Sequence, residues 1–434
     1  MEDIYASKIL PSSHIQPTVH SKFPTEKISL VDHSIEKIEP CTIFPESTDL
    51  NEQSPIEFII HDAAQHYIDL SSLQLEVKLQ LLTPEALAPD PPSQVFFTNN
   101  LLSSLFPIRK IFINNVCIET QYAGNHLGRI KHLINTSPSI ITNRAEARGL
   151  FNFTKDRLGS PISNAVCTAN ANRKIFSKKE NIHLKGFLDL DICSVNKWLV
   201  DLCTLRLVLG VASDKLVINA IGDNINYTYK IKSIKLHFDR ILPSNSGFIS
   251  ATKSLQKNPI EYLFTRHVVH SEILAAGQSS LTINRPFNNR IPSKLYIFMT
   301  KQKADQGQYS EDAEYFQTNN LINYRLMIDG KLLVDQACNP ADNCLSAYVN
   351  SLNAHNNDEN FIPFNLYTSG CFLLVVKTNH SQENELSFER KGNLSIHLRF
   401  NDAVVDNQII YTFGVCHSTF EITADRNCIT NYSY

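Results

Sequence analysis

Four groups of polar residues in this chain have types and spacings that could do chemistry. His61, Asp62, His66 and Asp69 lie close enough in sequence to suggest a metal site. An octahedral metal on a β scaffold wants ligands converging from one strand, as a His-x-His pair provides. No His-x-His occurs in the sequence, so the plainer reading is a polar loop and a strand edge. Asp189-Leu-Asp191 has the form of a metal–nucleotide DxD pair. On an alternating strand it is more simply two carboxylates on the wet face. Cys416-His417 could be a nucleophile and its base, but neighbours on a strand point to opposite faces, which prevents direct pairing. Arg173, Lys174, Lys178 and Lys179 form a basic stretch that would touch DNA phosphates or act as a nuclear import signal. Its plainer reading is a solvated loop between strands. The chain lacks a Gly-rich phosphate loop, a Gly-x-Ser-x-Gly elbow and a zinc-spaced Cys/His set. The sequence therefore nominates no catalytic residue, no cofactor site and no metal site.

The elements that would carry these residues are short β-strands, from about residue 55 to the end. Leu73-Gln-Leu75-Glu-Val77-Lys-Leu79-Gln-Leu81 puts five apolar residues on one face and four polar ones on the other. That period of two buries one face and wets the other. Further strands are predicted at Ile56–Ile60, Tyr67–Leu70, Lys110–Ile113, Val116–Ile118, Ile182–Leu190 and Thr204–Val211. In the second half they fall at Lys294–Met299, Leu326–Leu333, Cys371–Val376, Leu394–Phe400, Ile409–Val415 and Phe420–Ile422. Cys371–Val376 is apolar on both faces and reads as central. Between Tyr229 and Phe238 the alternation slips by one at Ser233, which predicts a β-bulge. Asn114-Asn115 and Asp329-Gly330 read as two-residue hairpin turns, because these residues accept positive φ. Leu127, Ile130, Leu133 and Ile134 are spaced for one apolar face of a short helix.

Bulk numbers bound the organisation. A chain of 434 residues suggests two or three domains. Its 43% apolar content is enough for full cores, and its net charge of −3 exerts no strong overall pull on nucleic acid or anionic membrane. The ten cysteines are scattered without a CxxC and read as reduced thiols. The start, Met1-Glu-Asp-Ile-Tyr, lacks the basic region of a signal peptide. No run approaches the ~20 apolar residues of a membrane helix, so no membrane insertion is expected. The expectation is a soluble protein made in a reducing compartment. Residues 1–50 hold five prolines, eight acidic residues and four lysines with little strand pattern. They read as an extended N-terminal arm rather than a basic genome-binding tail. Two blocks follow, 51–248 and 249–434, each an all-β sandwich, with Ile241–Pro259 as the joint. No residue-level repeat relates them.

The order Pro55-Ile-Glu-Phe58, Tyr67-Ile-Asp-Leu70, Asn99-Asn-Leu-Leu-Ser-Ser-Leu-Phe106 and Ile113-Asn-Asn-Val116 resembles a known family. It is similar to the hexon-type major capsid proteins of Polinton/Maverick elements and adintoviruses. Gly277-Gln278, Arg290-Ile-Pro292, Asp329-Gly330, Gly370, Gly392, Arg399-Phe400 and Asp425-Arg426 extend the likeness, so it covers about 55 to 430. The family has Asn-Gly where this chain has Asn114-Asn115, and a fuller Tyr-rich helix after it.

The resemblance implies an all-β double jelly roll, two consecutive eight-stranded sandwiches with short helices in loops. It implies homotrimeric capsomers with a pseudo-hexameric outline, packed against neighbouring capsomers in an icosahedral virion. A minor or penton capsid protein is the further partner, with at most weak non-specific contact to packaged DNA. Synthesis would be in the host cytoplasm, with assembly there or in the nucleus. Long inserts at 136–180 and 301–322 would form towers or clasps between subunits. The alternative of another class is a carbohydrate- or receptor-binding β-sandwich protein, of a minor-capsid or spike type. Such sites use exposed aromatics, whereas Trp198, the single tryptophan, sits in an apolar run and reads as core. A jelly-roll enzyme with paired inward carboxylates is a third option, for which spacing nominates no pair.

Overall fold

The computed structural model describes residues 34–47, 50, 54–61, 63–82, 95–135, 146–150, 181–220, 226–355, 362–378 and 390–432. Among these described residues the first half supplies ten strands. They are β1 (Ile35–Ile43), β2 (Ile56–Ile60), β3 (Tyr67–Leu82), β4 (Val95–Phe97), β5 (Ile108–Ile113), β6 (Val116–Gln121), β7 (Ile182–Phe187), β8 (Leu205–Gly210), β9 (Ile218–Ala220) and β10 (Thr228–Pro243). The second half supplies eleven. They are β11 (Ile260–Leu274), β12 (Ser280–Asn284), β13 (Arg290–Ile291), β14 (Lys294–Lys301), β15 (Leu321–Ile328), β16 (Lys331–Ala337), β17 (Leu374–Lys377), β18 (Arg390–Lys391), β19 (Leu394–Phe400), β20 (Gln408–Ile422) and β21 (Cys428–Thr430).

Each half has two four-stranded walls with the same connectivity. In the first half they run β1-β10-β3-β7 and β2-β8-β5-β6. In the second they run β11-β20-β14-β17, with β21 added beside β20, and β12-β19-β15-β16. With the short pairs β4-β9 and β13-β18 set aside, the eight main strands of each half pair first with last, second with seventh, third with sixth and fourth with fifth. All these pairings are antiparallel. Each half is thus one long hairpin wrapped into two facing sheets, which is jelly-roll connectivity. The hairpin tips are the predicted turns. Asn114 and Asn115 have φ of 46° and 66°, and Asp329 and Gly330 have φ of 49° and 77°. Two successive left-handed residues match the twist of the flanking strands.

The predicted bulge is present: Ile231 pairs with Leu79 and Ser233 with Lys78, leaving Lys232 as the extra residue. The helical face is present too, in Gly124–Asn135, with Leu127, Ile130, Leu133 and Ile134 all buried. Several strand readings change; Tyr67–Leu70 and Leu73–Leu81 are one strand, β3, and Ile182–Leu190 stops at Phe187. Ile35–Ile43, read as part of the arm, is β1 and lies along β10 at the sheet edge. Pro40 interrupts its pattern, and an edge strand tolerates a proline because one side of its backbone needs no partner. Cys371–Val376, read as central, ends in the edge strand β17, and the helix Leu345–His355 covers it. Ser351 Oγ accepts from Val375 N at 3.0 Å. Ile409–Val415 and Phe420–Ile422 are parts of one strand, β20.

The helix Asn245–Lys257 joins the halves, with the Ser244 hydroxyl accepting from Gly247 N at its start. The two cores interlock across it. Tyr262, Phe264, Phe420, Ile422 and Tyr432 of the second half pack into the first core. Leu127, Ile130, Leu133 and Ile134 of the first half pack into the second. The segment 301–320 folds back on the first half: Ala220 N donates to Tyr309 O at 2.7 Å, and Asn219 Nδ2 to Glu311 O at 2.9 Å. Its described bonds are therefore a clasp within the chain. Residues 136–145 and 151–180 of the other predicted insert lie outside the described residues.

Candidate functional site

Arg173, Lys174, Lys178 and Lys179 lie outside the described residues, as does Asp62. His66 Nδ1 pairs with Ala64 O, and Asp69 accepts from the Ser71 backbone and hydroxyl. Among the described residues no three His, Cys, Asp or Glu side chains are grouped to hold a metal ion. Cys416 is buried while His417 is half-buried on the opposite face of β20. Trp198 is in the first core. The nine described cysteines are free thiols.

Asp189 and Asp191 are the correction. The wet-face reading required them to stay on a strand, but β7 ends at Phe187 and a 3-10 turn begins at Asp191. The chain leaving β7 carries both carboxylates inward, where Arg148 and Lys131 reach them. Arg148 reaches Asp189 Oδ2 at 2.5 Å, and the Ser103 hydroxyl donates to the same oxygen at 2.6 Å. Lys131 Nζ lies 2.8 Å from both Asp189 O and Asp191 Oδ1. From the second half, His267 places its backbone N 2.7 Å from Asp191 Oδ2 and its Nδ1 2.8 Å from Oδ1. Glu119 accepts from Asp191 N at 2.8 Å and from Ile192 N at 2.9 Å.

Burial alone would raise all three carboxyls. For Asp189 the opposing charges of Arg148, Arg109 and Lys131 outweigh burial and hold it well below the usual carboxylate range. For Asp191 the groups that outweigh burial are His267 and Lys131. Glu119 goes the other way, raised by burial and by the negative charge of Asp191. Both carboxylate oxygens of Asp191 and of Glu119, and Oδ2 of Asp189, already accept from protein donors. Chemically the arrangement is a lock between the halves.

Two further locks cross the same junction. His126 Nε2 is 2.8 Å from Asp305 Oδ1, and the Tyr411 hydroxyl donates to that oxygen at 2.9 Å. Arg426 pairs with Asp201 at 2.5 Å, and Tyr432 OH donates to Ile118 O at 2.8 Å, tying the chain end to the first half. Sequence spacing offers no signal for Glu119, Lys131, His267, Asp305 or Arg426, because the fold brings them together from separate segments.

This interlocked pair of sandwiches has known counterparts. A chain in the cryo-electron-microscopy structure of the Sputnik virophage superposes with a TM-score of 0.62 at 12% identity, over 94% of this chain and 90% of that one. The chain has the double jelly-roll fold. The crystal structure of the mavirus major capsid protein gives a TM-score of 0.56 at 10% identity, over 97% and 94%. The faustovirus major capsid protein gives 0.57 at 9% identity, over 96% and 94%. No family model and no curated protein sequence matches. The mavirus and faustovirus chains are major capsid proteins. Among the described residues, the double jelly roll here carries the Asp191 carboxylate between its two halves, held by Lys131 of the first and His267 of the second. Among the described residues, no helix is long and apolar enough to cross a membrane.

Proposed function

We propose that the chain is the major capsid protein of an icosahedral DNA virus or virus-like element, and that its work is assembly. The observation that carries this is the end-to-end likeness to capsid chains, with both sandwiches matched in series. Two barrels per chain and three chains give six barrels, the outline a hexagonal lattice position needs. The unit of assembly is then a homotrimer that packs against neighbouring capsomers, with a minor or penton capsid protein at other positions. The barrels divide within the helix Asn245–Lys257, so that 51–248 and 249–434 are the two working units, with β1 added to the first. Residues before β1 form the arm that reaches a neighbouring capsomer. The motif order Pro55–Phe58, Tyr67–Leu70 and Asn99–Phe106 supports a Polinton/Maverick or adintovirus-like source. The mature protein resides in the virion, after synthesis in the host cytoplasm.

The deciding experiment is the solution mass of the recombinant protein by light scattering, with negative-stain images of the same peak. One chain is 49.1 kDa, so a trimer is three times that, about 147 kDa. A peak there with hexagonal outlines is the expected result. A monomer at all concentrations that binds on a glycan array would overturn it in favour of the receptor-binding reading.

A further inference from the structure

Alternation along the β1-β10-β3-β7 sheet buries one face in the first core and turns the other to solvent. Over the span Thr228–His237 of β10 and the residues paired with it, the solvent face carries five lysines: Lys78, Lys185, Lys230, Lys232 and Lys235. Glu76 is the one carboxylate there, and no arginine is present. The register packs these charges together. Lys78 stands between Ser233 and His183, and Glu76 between Lys235 and Lys185. Lys232 Nζ reaches across β3 to Asn181 Oδ1 at 3.0 Å, so its ammonium lies over the sheet. Lys185, Lys230 and Lys232 are exposed. In a protein of net charge −3, this is a local reversal of sign.

The chemistry of the face selects its partner. Strands lie ~4.8 Å apart and alternate residues ~6.8 Å apart, so the lysines form a flat, dense grid of point charges. Protein partners offer carboxylates, for which the fork of arginine is the favoured donor, and lysine is depleted at protein interfaces. A membrane surface would call for apolar or aromatic side chains at the centre of the face, to insert between headgroups. The centre here is Lys78, Glu76 and Lys235, and the exposed rings of Phe44, 5.5 Å from Lys235 Nζ, and Phe187 stand at its margins. A polyphosphate backbone needs only closely spaced cations.

We propose that this sheet face binds the phosphodiester backbone of nucleic acid by charge, without reading bases. The proposal rests on the capsid reading for its setting, a packaged polyanion, while its chemistry stands on the lysines alone.

The test is fluorescence anisotropy of the full chain with a labelled, short, random-sequence DNA duplex, titrated between about 50 and 200 mM salt. Log affinity should fall with log salt with a slope of about −0.9 for each lysine engaged. The variant Lys78→Gln/Lys230→Gln/Lys232→Gln/Lys235→Gln should bind at least about tenfold more weakly and lose up to about 3.6 units of slope. The control Lys253→Gln/Lys257→Gln/Lys303→Gln/Lys331→Gln changes net charge equally and should bind as the parent does. If the fourfold face variant melts early, Lys230→Gln/Lys232→Gln, at two exposed positions, carries the same comparison.

Equal loss in the control would overturn the proposal, since net charge alone would then act. Loss confined to Arg173→Gln/Lys174→Gln/Lys178→Gln/Lys179→Gln would overturn it in favour of that segment. Lysine-dependent binding to phosphatidylserine vesicles, with none to DNA, would overturn it in favour of a lipid surface. Mass by light scattering on the same samples separates the two readings. A trimer that ignores DNA removes this proposal and leaves the capsid reading intact. A monomer that binds DNA through the lysines does the reverse.

Discussion

Asn114 and Asp329 hold the same position in the two sandwiches and make the same pair of bonds. Each is the first residue of the turn joining the fourth and fifth main strands, at positive φ. Asn114 N donates to Thr204 O at 3.0 Å while Asn114 Oδ1 accepts from Thr204 N at 2.8 Å. Asp329 N donates to Asn393 O at 2.9 Å while Asp329 Oδ1 accepts from Asn393 N at 2.8 Å. Thr204 and Asn393 each immediately precede the seventh main strand of their half. A short polar side chain that tolerates the left-handed region closes the tip of the long hairpin twice. Asn114 Nδ2 also donates to Cys203 Sγ at 3.6 Å and to Arg426 O at 2.6 Å, and the second of these bonds reaches the second half.

Replacing either residue by Ala should therefore combine two losses. The backbone becomes strained at positive φ, and Thr204 N or Asn393 N loses its acceptor. Together these should cost about 2–4 kcal/mol. Gly in place of either residue removes only the bonds, so it should cost less than Ala. Chemical denaturation of the four variants checks the order. Asn114→Ala should exceed Asp329→Ala, because only Asn114 also holds the chain end. Equal midpoints for Ala and Gly would show that the φ requirement contributes nothing.

The buried junction sets a pH profile with two limbs. Asp189 and Asp191 have folded pKa values below their unfolded one, which is about 3.9. Their contribution is complete above the unfolded value and drains away as pH falls through the folded one. Glu119 is raised, so its contribution is complete in acid and is lost as pH rises through its folded value. Stability measured by urea unfolding should peak at mildly acidic pH and fall on both sides. Asp189→Asn should flatten the acid limb. At neutral pH it should also cost about 3–5 kcal/mol, because Arg148 loses its buried partner.

Gly414 lies in the interior of β20, between Val268 and Leu295. A Cβ there would meet the Pro292 ring at 2.4 Å and the Phe287 ring at 2.9 Å. Both rings are packed, so neither yields cheaply. Gly414→Ala should destabilise by about 1–3 kcal/mol. The same change at Gly277, where no atom lies within 4 Å, meets no such wall and is opposed only by its φ of 85°. Thermal melts of the two variants give the comparison, and an unchanged melt for Gly414→Ala would show that the rings move aside.

The parts of this fold legible in the sequence are those that local physics fixes. A period of two placed β3 and β19, and a continuous apolar run placed β14. Turn chemistry placed both hairpin tips, and a phase slip at Ser233 placed the bulge, whose extra residue is its neighbour Lys232. The likeness of the two tips escaped notice because Asn114-Asn115 and Asp329-Gly330 share a backbone conformation and not a sequence. The junction was illegible for a different reason. Asp189 and Asp191 read as a wet pair because periodicity assumes that the strand continues, and nothing local announces that it stops at Phe187. Their partners Arg148, Lys131 and His267 come from other segments. A charge buried by tertiary contact leaves no periodic trace.

The position of β1 sharpens the prediction for the N-terminal arm. Read as arm to residue 50, the chain would tolerate removal of residues 1–48 with its barrels intact. With Ile35–Ile43 paired along β10 from Pro243 to Leu236, that truncation strips a strand. It also exposes the backbone of β10 as a new edge, which invites aggregation. Removal of 1–33 spares β1 and should leave both melting temperature and trimer mass unchanged, while lowering the yield of closed shells. Removal of 1–48 should lower the melting temperature and add aggregates by light scattering. Normal shell yield from the shorter truncation would show that the arm has no part in assembly. A normal melt from the longer one would show that β1 contributes little to the first sandwich.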